Sequence, residues 1–204
     1  VPTPSSTDLG TFTWRGQTLD YFDAHYNSTR LNERAVELAI ARHWLDGRTG
    51  DGLEVGNVTS HYWPVDHRVV DLHEQAPYVD NLDMFEVEGA YDWILTISTV
   101  EHVHWDDDRD PNGAVNAIHH LRSLLRPGGA LLVTAPTGWN PGLDEAIRRE
   151  FFAGPGVDQA VYVRNPAVGD WSPAKTPVTP HYGGATYLWA NAVWIAEFTN
   201  EDDR

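Results

Sequence analysis

The residues with the most chemistry in them fall at separate points along a chain of 204 residues. Glu101-His102-Val103-His104 gathers two imidazoles and a carboxylate, and His102 is the natural general base because an imidazole titrates near neutrality. Glu101 and His104 are second candidates for that task. The plainer alternative is that Glu101 and His102 open a helix and orient a loop. Continuing through Trp105 to Asp106-Asp107-Asp108, the run also offers the groups a divalent ion prefers. Consecutive aspartates more simply form a solvated, helix-capping turn, and no metal site is expected. Asp71 follows the apolar pair Val69-Val70 and presents two acceptor oxygens to two neighbouring hydroxyls. Glu74 competes with it, and capping of a turn is the alternative for Asp71. Trp139 and Asn140 combine a flat apolar face with an amide, which suits a sugar or a ring system as substrate.

Elements that could position these groups are visible in the apolar pattern. Short apolar runs over 52–56, 67–72, 91–98 and 130–135 predict buried strands. Leu31, Ala35, Leu38, Ala39 and Leu45 form a helical stripe that Asp46-Gly47 ends. Asp110-Pro111 supplies an N-cap with proline at the first helical position, and Val115, Ile118, Leu121 and Leu125 line the helix that follows. Arg126-Pro127-Gly128-Gly129 then turns the chain, and another helix is expected over 142–152. Strand and helix in alternation predict an α/β fold: a Rossmann-like, doubly wound, mostly parallel sheet with helices on both faces. Ligands of such sheets sit beyond the carboxyl ends of the strands. Gly56-Asn57-Val58, Asp71-Leu72, Ser98-Thr99 and the segment 136–140 are therefore expected to ring one pocket. Residues 1–28 predict an arm packed on the body, 154–184 a loop-rich lid, and 185–198 one or two closing strands with Tyr187 and Trp189 in their core.

The length suits a single domain over 1–204. A formal net charge of -16, with Lys175 the only lysine, repels phosphate backbones and anionic lipid, so nucleic acid and membrane are excluded as partners and a small-molecule substrate is expected. With no cysteine, disulfides, zinc-thiolate sites and thiol nucleophiles are ruled out. The opening Val1-Pro2-Thr3-Pro4-Ser5-Ser6 lacks the basic start and apolar run of a signal peptide, and a cytoplasmic location is expected.

The run Tyr91-Asp92-Trp93-Ile94-Leu95-Thr96-Ile97-Ser98-Thr99-Val100-Glu101-His102-Val103, answered by Leu124-Leu125-Arg126-Pro127-Gly128-Gly129-Ala130-Leu131-Leu132-Val133-Thr134, resembles two adjacent core strands of the class I S-adenosylmethionine-dependent methyltransferases. Leu53-Glu54-Val55-Gly56-Asn57-Val58, Val70-Asp71-Leu72-His73-Glu74 and Gly138-Trp139-Asn140-Pro141-Gly142-Leu143-Asp144 are similar to a poorly characterised bacterial and archaeal subgroup, and the resemblance spans roughly 30–198. It implies S-adenosylmethionine as cofactor and methyl transfer to a small acceptor, most simply a hydroxyl. It further implies that Asp71 meets the ribose, Glu54 the amino group of the methionine moiety, Asp83 the adenine amino group and Met84 the adenine ring. Gly56, Asn57, Val58, Leu72, Ser98 and Thr99 would complete the cofactor wall. Family members usually continue the acidic residue as Gly-x-Gly-x-Gly, whereas here only Gly56 of those glycines remains. A ligand-binding module without chemistry is therefore a second reading. An NAD-dependent oxidoreductase ranks last, because Gly56-Asn57-Val58-Thr59-Ser60-His61 lacks the Gly-x-Gly-x-x-Gly that cradles a pyrophosphate.

Overall fold

The computed structural model describes residues 10–201; residues 1–9 of the expected arm lie outside that range. The rest of the arm opens with a hairpin of β1 (Thr11–Trp14) and β2 (Gln17–Asp20). Arg15 and Gly16 both have positive φ, the backbone a two-residue hairpin turn demands, and alternation buries Phe12 and Trp14. Then come α1 (Arg34–Leu45), β3 (Gly52–Val55), β4 (Arg68–Val70), β5 (Val79–Asp80), β6 (Tyr91–Ile97), α2 (Gly113–Ser123), β7 (Leu125–Pro136), α3 (Pro141–Arg148), β8 (Val157–Arg164), β9 (Trp171–Pro173) and β10 (Ala192–Thr199).

The main sheet has the order β5-β4-β3-β6-β7-β10-β8-β9. Pairing is parallel from β5 to β7 and antiparallel from β7 through β10 and β8 to β9. After β3 the chain builds outward to β4 and β5, then returns to lay β6 on the other side of β3. That reversal opens a crevice between the carboxyl ends of β3 and β6. Side chains alternate across the sheet. Ile94, Leu131 and Val133 join a core with Ile118 and Leu121 of α2 and Leu143 of α3. Leu95, Ile97 and Leu132 join a second core with Val36, Leu38 and Ile40 of α1 and with Phe12 and Trp14 of the hairpin. The sheet is thus covered on both faces, which is why its strands read as unbroken apolar runs.

Several boundaries depart from expectation. Leu31 is exposed rather than part of the helical stripe, because α1 starts only at Arg34. Asp110 accepts from Asn112 N at 2.9 Å, but α2 begins beyond it, with Asn112 at the N-cap. Strand β7 starts at Leu125 and carries 126–129 as an irregularity in its pairing with β6, pinned by Arg126 to Asp51 and Asp92. The segment 154–184 is not loop throughout, since β8 and β9 lie within it; β8 was hidden by neighbouring prolines and glycines. The last segment supplies a single strand, β10, which lies between β7 and β8, and Tyr187 and Trp189 precede it in irregular chain.

Candidate functional site

A cavity of 420 Å³ occupies the crevice between β3 and β6. Of the residues singled out from sequence, Gly56, Asn57, Val58, Asp71, Leu72, Asp83, Met84, Ser98, Thr99, His102 and His104 line it. Its walls mix apolar side chains (Val55, Val70, Leu82, Met84, Val103) with Asp71, Asp83, Asp106 and Asp107, and include neither lysine nor arginine. Such a lining favours a cationic or neutral ligand and repels a phosphate. Asp71 also holds the pocket together: Oδ2 accepts from Asn57 N at 2.9 Å, and Oδ1 accepts from His73 N and Glu74 N at 2.9 and 2.8 Å. These bonds keep its carboxyl below the usual range against the opposing effect of burial, which is the largest single influence. Both the capping and the pocket-lining roles are therefore present in one side chain. Glu74 instead receives Asn57 Nδ2 at 2.7 Å and His61 at 3.1 Å and is not in the wall. Asp83 caps the turn Met84–Glu86, with Oδ1 accepting from Phe85 N at 2.9 Å and the side chain closing a capping box with Glu86, while it also lines the cavity.

Glu54 does not reach the cavity, contrary to the role the resemblance implied. Fully buried, it accepts from Val58 N at 2.9 Å, Thr59 N at 2.7 Å, the Thr59 hydroxyl, and His67 Nε2 at 2.8 Å. These donors fold residues 58–61 into a 3-10 turn at the place where the expected glycine run is missing. The carboxylate shapes the loop and has no capacity left for a ligand. Gly56 has φ +83°, and a Cβ there would lie 2.0 Å from Thr99 Oγ1. Its bareness thus accommodates Thr99 on the neighbouring strand exit, as well as leaving the wall open. Ser98, with φ 41°, turns its hydroxyl away to Glu37 Oε1 at 2.7 Å.

A smaller cavity of 160 Å³ adjoins the first and shares Ser98 and His102 with it. Glu33, Arg34, Glu101, Trp139, Tyr182 and Trp189 contribute to its wall. His102 Nδ1 lies 2.6 Å from Asp106 Oδ2, and Asp106 Oδ1 accepts from Trp139 Nε1 at 3.0 Å. Because a carboxylate can only accept, Nδ1 carries a ring proton, and in the neutral ring the lone pair is on Nε2. Nε2 is 3.6 Å from Glu101 Oε1, too far for a hydrogen bond. Trp139 packs on His102 at 5.2 Å and edge-on to Tyr182 at 5.0 Å. Asn140, expected to meet substrate, is buried as the N-cap of α3: Oδ1 accepts from Gly142 N and Leu143 N, and Nδ2 donates to Glu101 O. His104 stacks on Phe85 at 5.3 Å at the rim of the larger cavity.

Sequence reasoning missed the charge system behind His102. Glu37 is saturated by Ser98, Thr134 and Arg34. Glu33 and Glu101 are not: Oε2 of Glu33 and both carboxyl oxygens of Glu101 are buried without a hydrogen-bond partner among the described residues. Burial, reinforced by Glu37, pushes the Glu33 carboxyl up to about 7. Burial likewise pushes Glu101 well above the ordinary range, opposed by its own backbone N–H and by Arg34 and reinforced by Glu37 and Glu33. Glu33 and Glu37 sit four apart at the head of α1, and Glu37 falls between Val36 and Leu38 in an otherwise apolar run, which is the one sequence signal that could have exposed them.

No protein-family model and no curated protein matches the chain. Solved structures do. N-methyltransferase NodS from Bradyrhizobium japonicum WM9, in complex with S-adenosyl-L-homocysteine, superposes with a TM-score of 0.50 at 15% identity, covering 87% of this chain and 93% of its own. A SAM-dependent methyltransferase from Archaeoglobus fulgidus gives a TM-score of 0.50 at 11% identity over 86% of this chain and 100% of its own. Together with the strand order and the crevice at its reversal, these likenesses define the fold as that of the class I S-adenosylmethionine-dependent methyltransferases.

Proposed function

We propose that this chain is a single-domain S-adenosylmethionine-dependent methyltransferase, acting on a hydroxyl of a small-molecule acceptor such as a sugar or ring-containing metabolite. The observation that carries it is the position of His102. Its imidazole lies where the two cavities meet, with Nδ1 held by Asp106 and Nε2 free. The donor set of the larger cavity fits the cofactor. Asp71 keeps acceptor capacity on Oδ2 for a ribose hydroxyl and Asp83 can accept from the adenine amino group, Met84 adds an apolar face, and the acidic wall suits a ligand bearing a positive sulfonium. When bound, S-adenosylmethionine would supply an electrophilic methyl group. His102 Nε2 would take the acceptor's hydroxyl proton as that oxygen attacks, and Asp106 would hold the resulting imidazolium through Nδ1. Trp139 fixes Asp106 and walls the acceptor side. The NAD reading is disfavoured further by four aspartates facing any pyrophosphate. The net charge of -16 argues against nucleic acid and anionic membranes as partners. No helix among the described residues is long and apolar enough to cross a membrane.

Calorimetry with S-adenosylhomocysteine tests the cofactor assignment, and heat should be released on binding. In Asp71→Asn the affinity should fall by roughly tenfold or more, since the substitution removes the charge that meets the ribose and weakens the loop bonds. His102→Ala should keep that affinity and lower turnover by about a hundredfold or more, measured as S-adenosylhomocysteine released in the presence of an acceptor. Unchanged turnover would remove His102 from the mechanism. Binding with no turnover on any acceptor would favour the module without chemistry.

A further inference from the structure

We propose that the smaller cavity is an anchoring subsite for a protonated amine, so that the acceptor is a cation carrying its reactive hydroxyl a short distance from an ammonium group. The inference rests on the methyl-transfer reading only for the word acceptor; the subsite itself follows from the wall of the cavity. Glu101 is fully buried, lines this cavity, and offers two oxygens that accept no hydrogen bond from a described residue, with His102 Nε2 no nearer than 3.6 Å to Oε1. Glu33, 6% exposed, adds a third bare oxygen to the same wall. Native proteins leave few buried acceptors unpaired, because each costs the loss of its bonds to water, so bare oxygens beside an open space mark the place of an absent donor.

The donor must bring positive charge. Three carboxylates, Glu33, Glu37 and Glu101, face one guanidinium, and Arg34 is already bound to Glu37 at 2.9 Å. His102 borders the group but spends Nδ1 on Asp106. With nothing bound, burial drives Glu33 and Glu101 toward their neutral acids. An ammonium group would supply three N–H donors and the missing charge at once. Arg34 shares this wall but is paired with Glu37, and the rest suits the same guest, since Trp139, Tyr182 and Trp189 bring aromatic rings, whose faces attract cations. A divalent ion is the weaker candidate, because among the described residues no three carboxylates or imidazoles converge as a metal site requires. At 160 Å³ the space admits an ammonium head with a few attached atoms, which leaves the body of the acceptor to extend past His102.

Matched probes test this without knowledge of the natural acceptor. Benzylammonium, benzyl alcohol and benzoate have nearly the same shape and differ in charge. Titrated into the full chain and followed by calorimetry or tryptophan fluorescence, benzylammonium should bind at least about tenfold more tightly than either of the others. Glu101→Gln and, separately, Glu33→Gln should each erase most of that preference while preserving the circular dichroism of the wild type. Should one variant fail to fold, the other still decides the matter. Equal affinity for benzylammonium and benzyl alcohol would overturn the subsite, as would a preference undiminished in both folded variants. S-adenosylhomocysteine titrated into the same samples reports on the larger cavity alone. Its binding with no charge preference among the probes defeats only the subsite, and its failure to bind beside a clear preference defeats only the cofactor reading.

Discussion

Glu54 and Glu101 are both glutamates with no exposed side-chain surface, one behind the wall of the larger cavity and the other in the wall of the smaller. Glu54 is met by two backbone N–H groups, a hydroxyl and an imidazole. Glu101 accepts no well-formed hydrogen bond among the described residues; its own backbone N–H and His102 Nε2, 3.6 Å away, are only loosely placed beside it. Equal burial therefore accompanies opposite states: one carboxylate is consumed by its own fold, and the other holds its bonding capacity in reserve. The difference teaches that burial of a charge says little about its role until its partners are counted. A saturated carboxylate is scaffolding, and a bare one facing a cavity is a receptor.

Removing each partner set should split the pair in opposite directions. Glu54→Ala strands the N–H groups of Val58 and Thr59 and leaves His67 unpaired, and it should lower unfolding free energy by about 3–5 kcal/mol in urea titrations. Glu101→Leu removes two unpaired oxygens from the interior and should raise stability by about 1–3 kcal/mol in the same assay. If both substitutions destabilise to the same extent, the contrast is lost.

The smallest effect sharpens the comparison through pH. Glu33, ordinarily near 4.5, titrates at about 7 in the fold, and burial lifts Asp144 to about 6. A carboxyl whose folded value is raised binds its proton more tightly when native, so its contribution is complete below the unfolded value and fades as pH climbs through the folded one. Asp71 and Glu197 are shifted the other way, and their contributions are lost only below the ordinary carboxylate range. Between pH 5 and pH 8 the melting midpoint should accordingly fall by roughly 5 °C. A bound ammonium should flatten that slope.

The central sheet was legible in the sequence because parallel strands covered on both faces must be apolar along their whole length, as in 93–97 and 130–135. The hairpin at Thr11–Asp20 carried its signal in alternation around Arg15-Gly16, yet its aromatics read first as an arm. Strand β8 was masked because Val157-Asp158-Gln159-Ala160 has little apolar contrast and prolines follow it. At the site, topology brought the exits at 56–58, 71–72 and 98–99 to one cavity as expected, with His102 beside them, whereas Pro136 and Trp139 line the smaller cavity instead. The task of Glu54 was not legible, since what a carboxylate can still bind depends on N–H groups that only the folded loop turns toward it. Glu33 and Glu101 stayed hidden for a related reason. An acid near a helix start or in a turn looks solvated until a distant segment, here the one bearing Tyr182 and Trp189, closes over it.

The turn that Glu54 ties down meets its guest already ordered. Asn57, Val58, Thr59 and Ser60 roam less when unfolded than glycines would, so the chain surrenders less freedom in fixing the rim. Such a rim has little slack with which to wrap a newcomer, and the dimensions of whatever enters are decided in advance by the shape of the doorway.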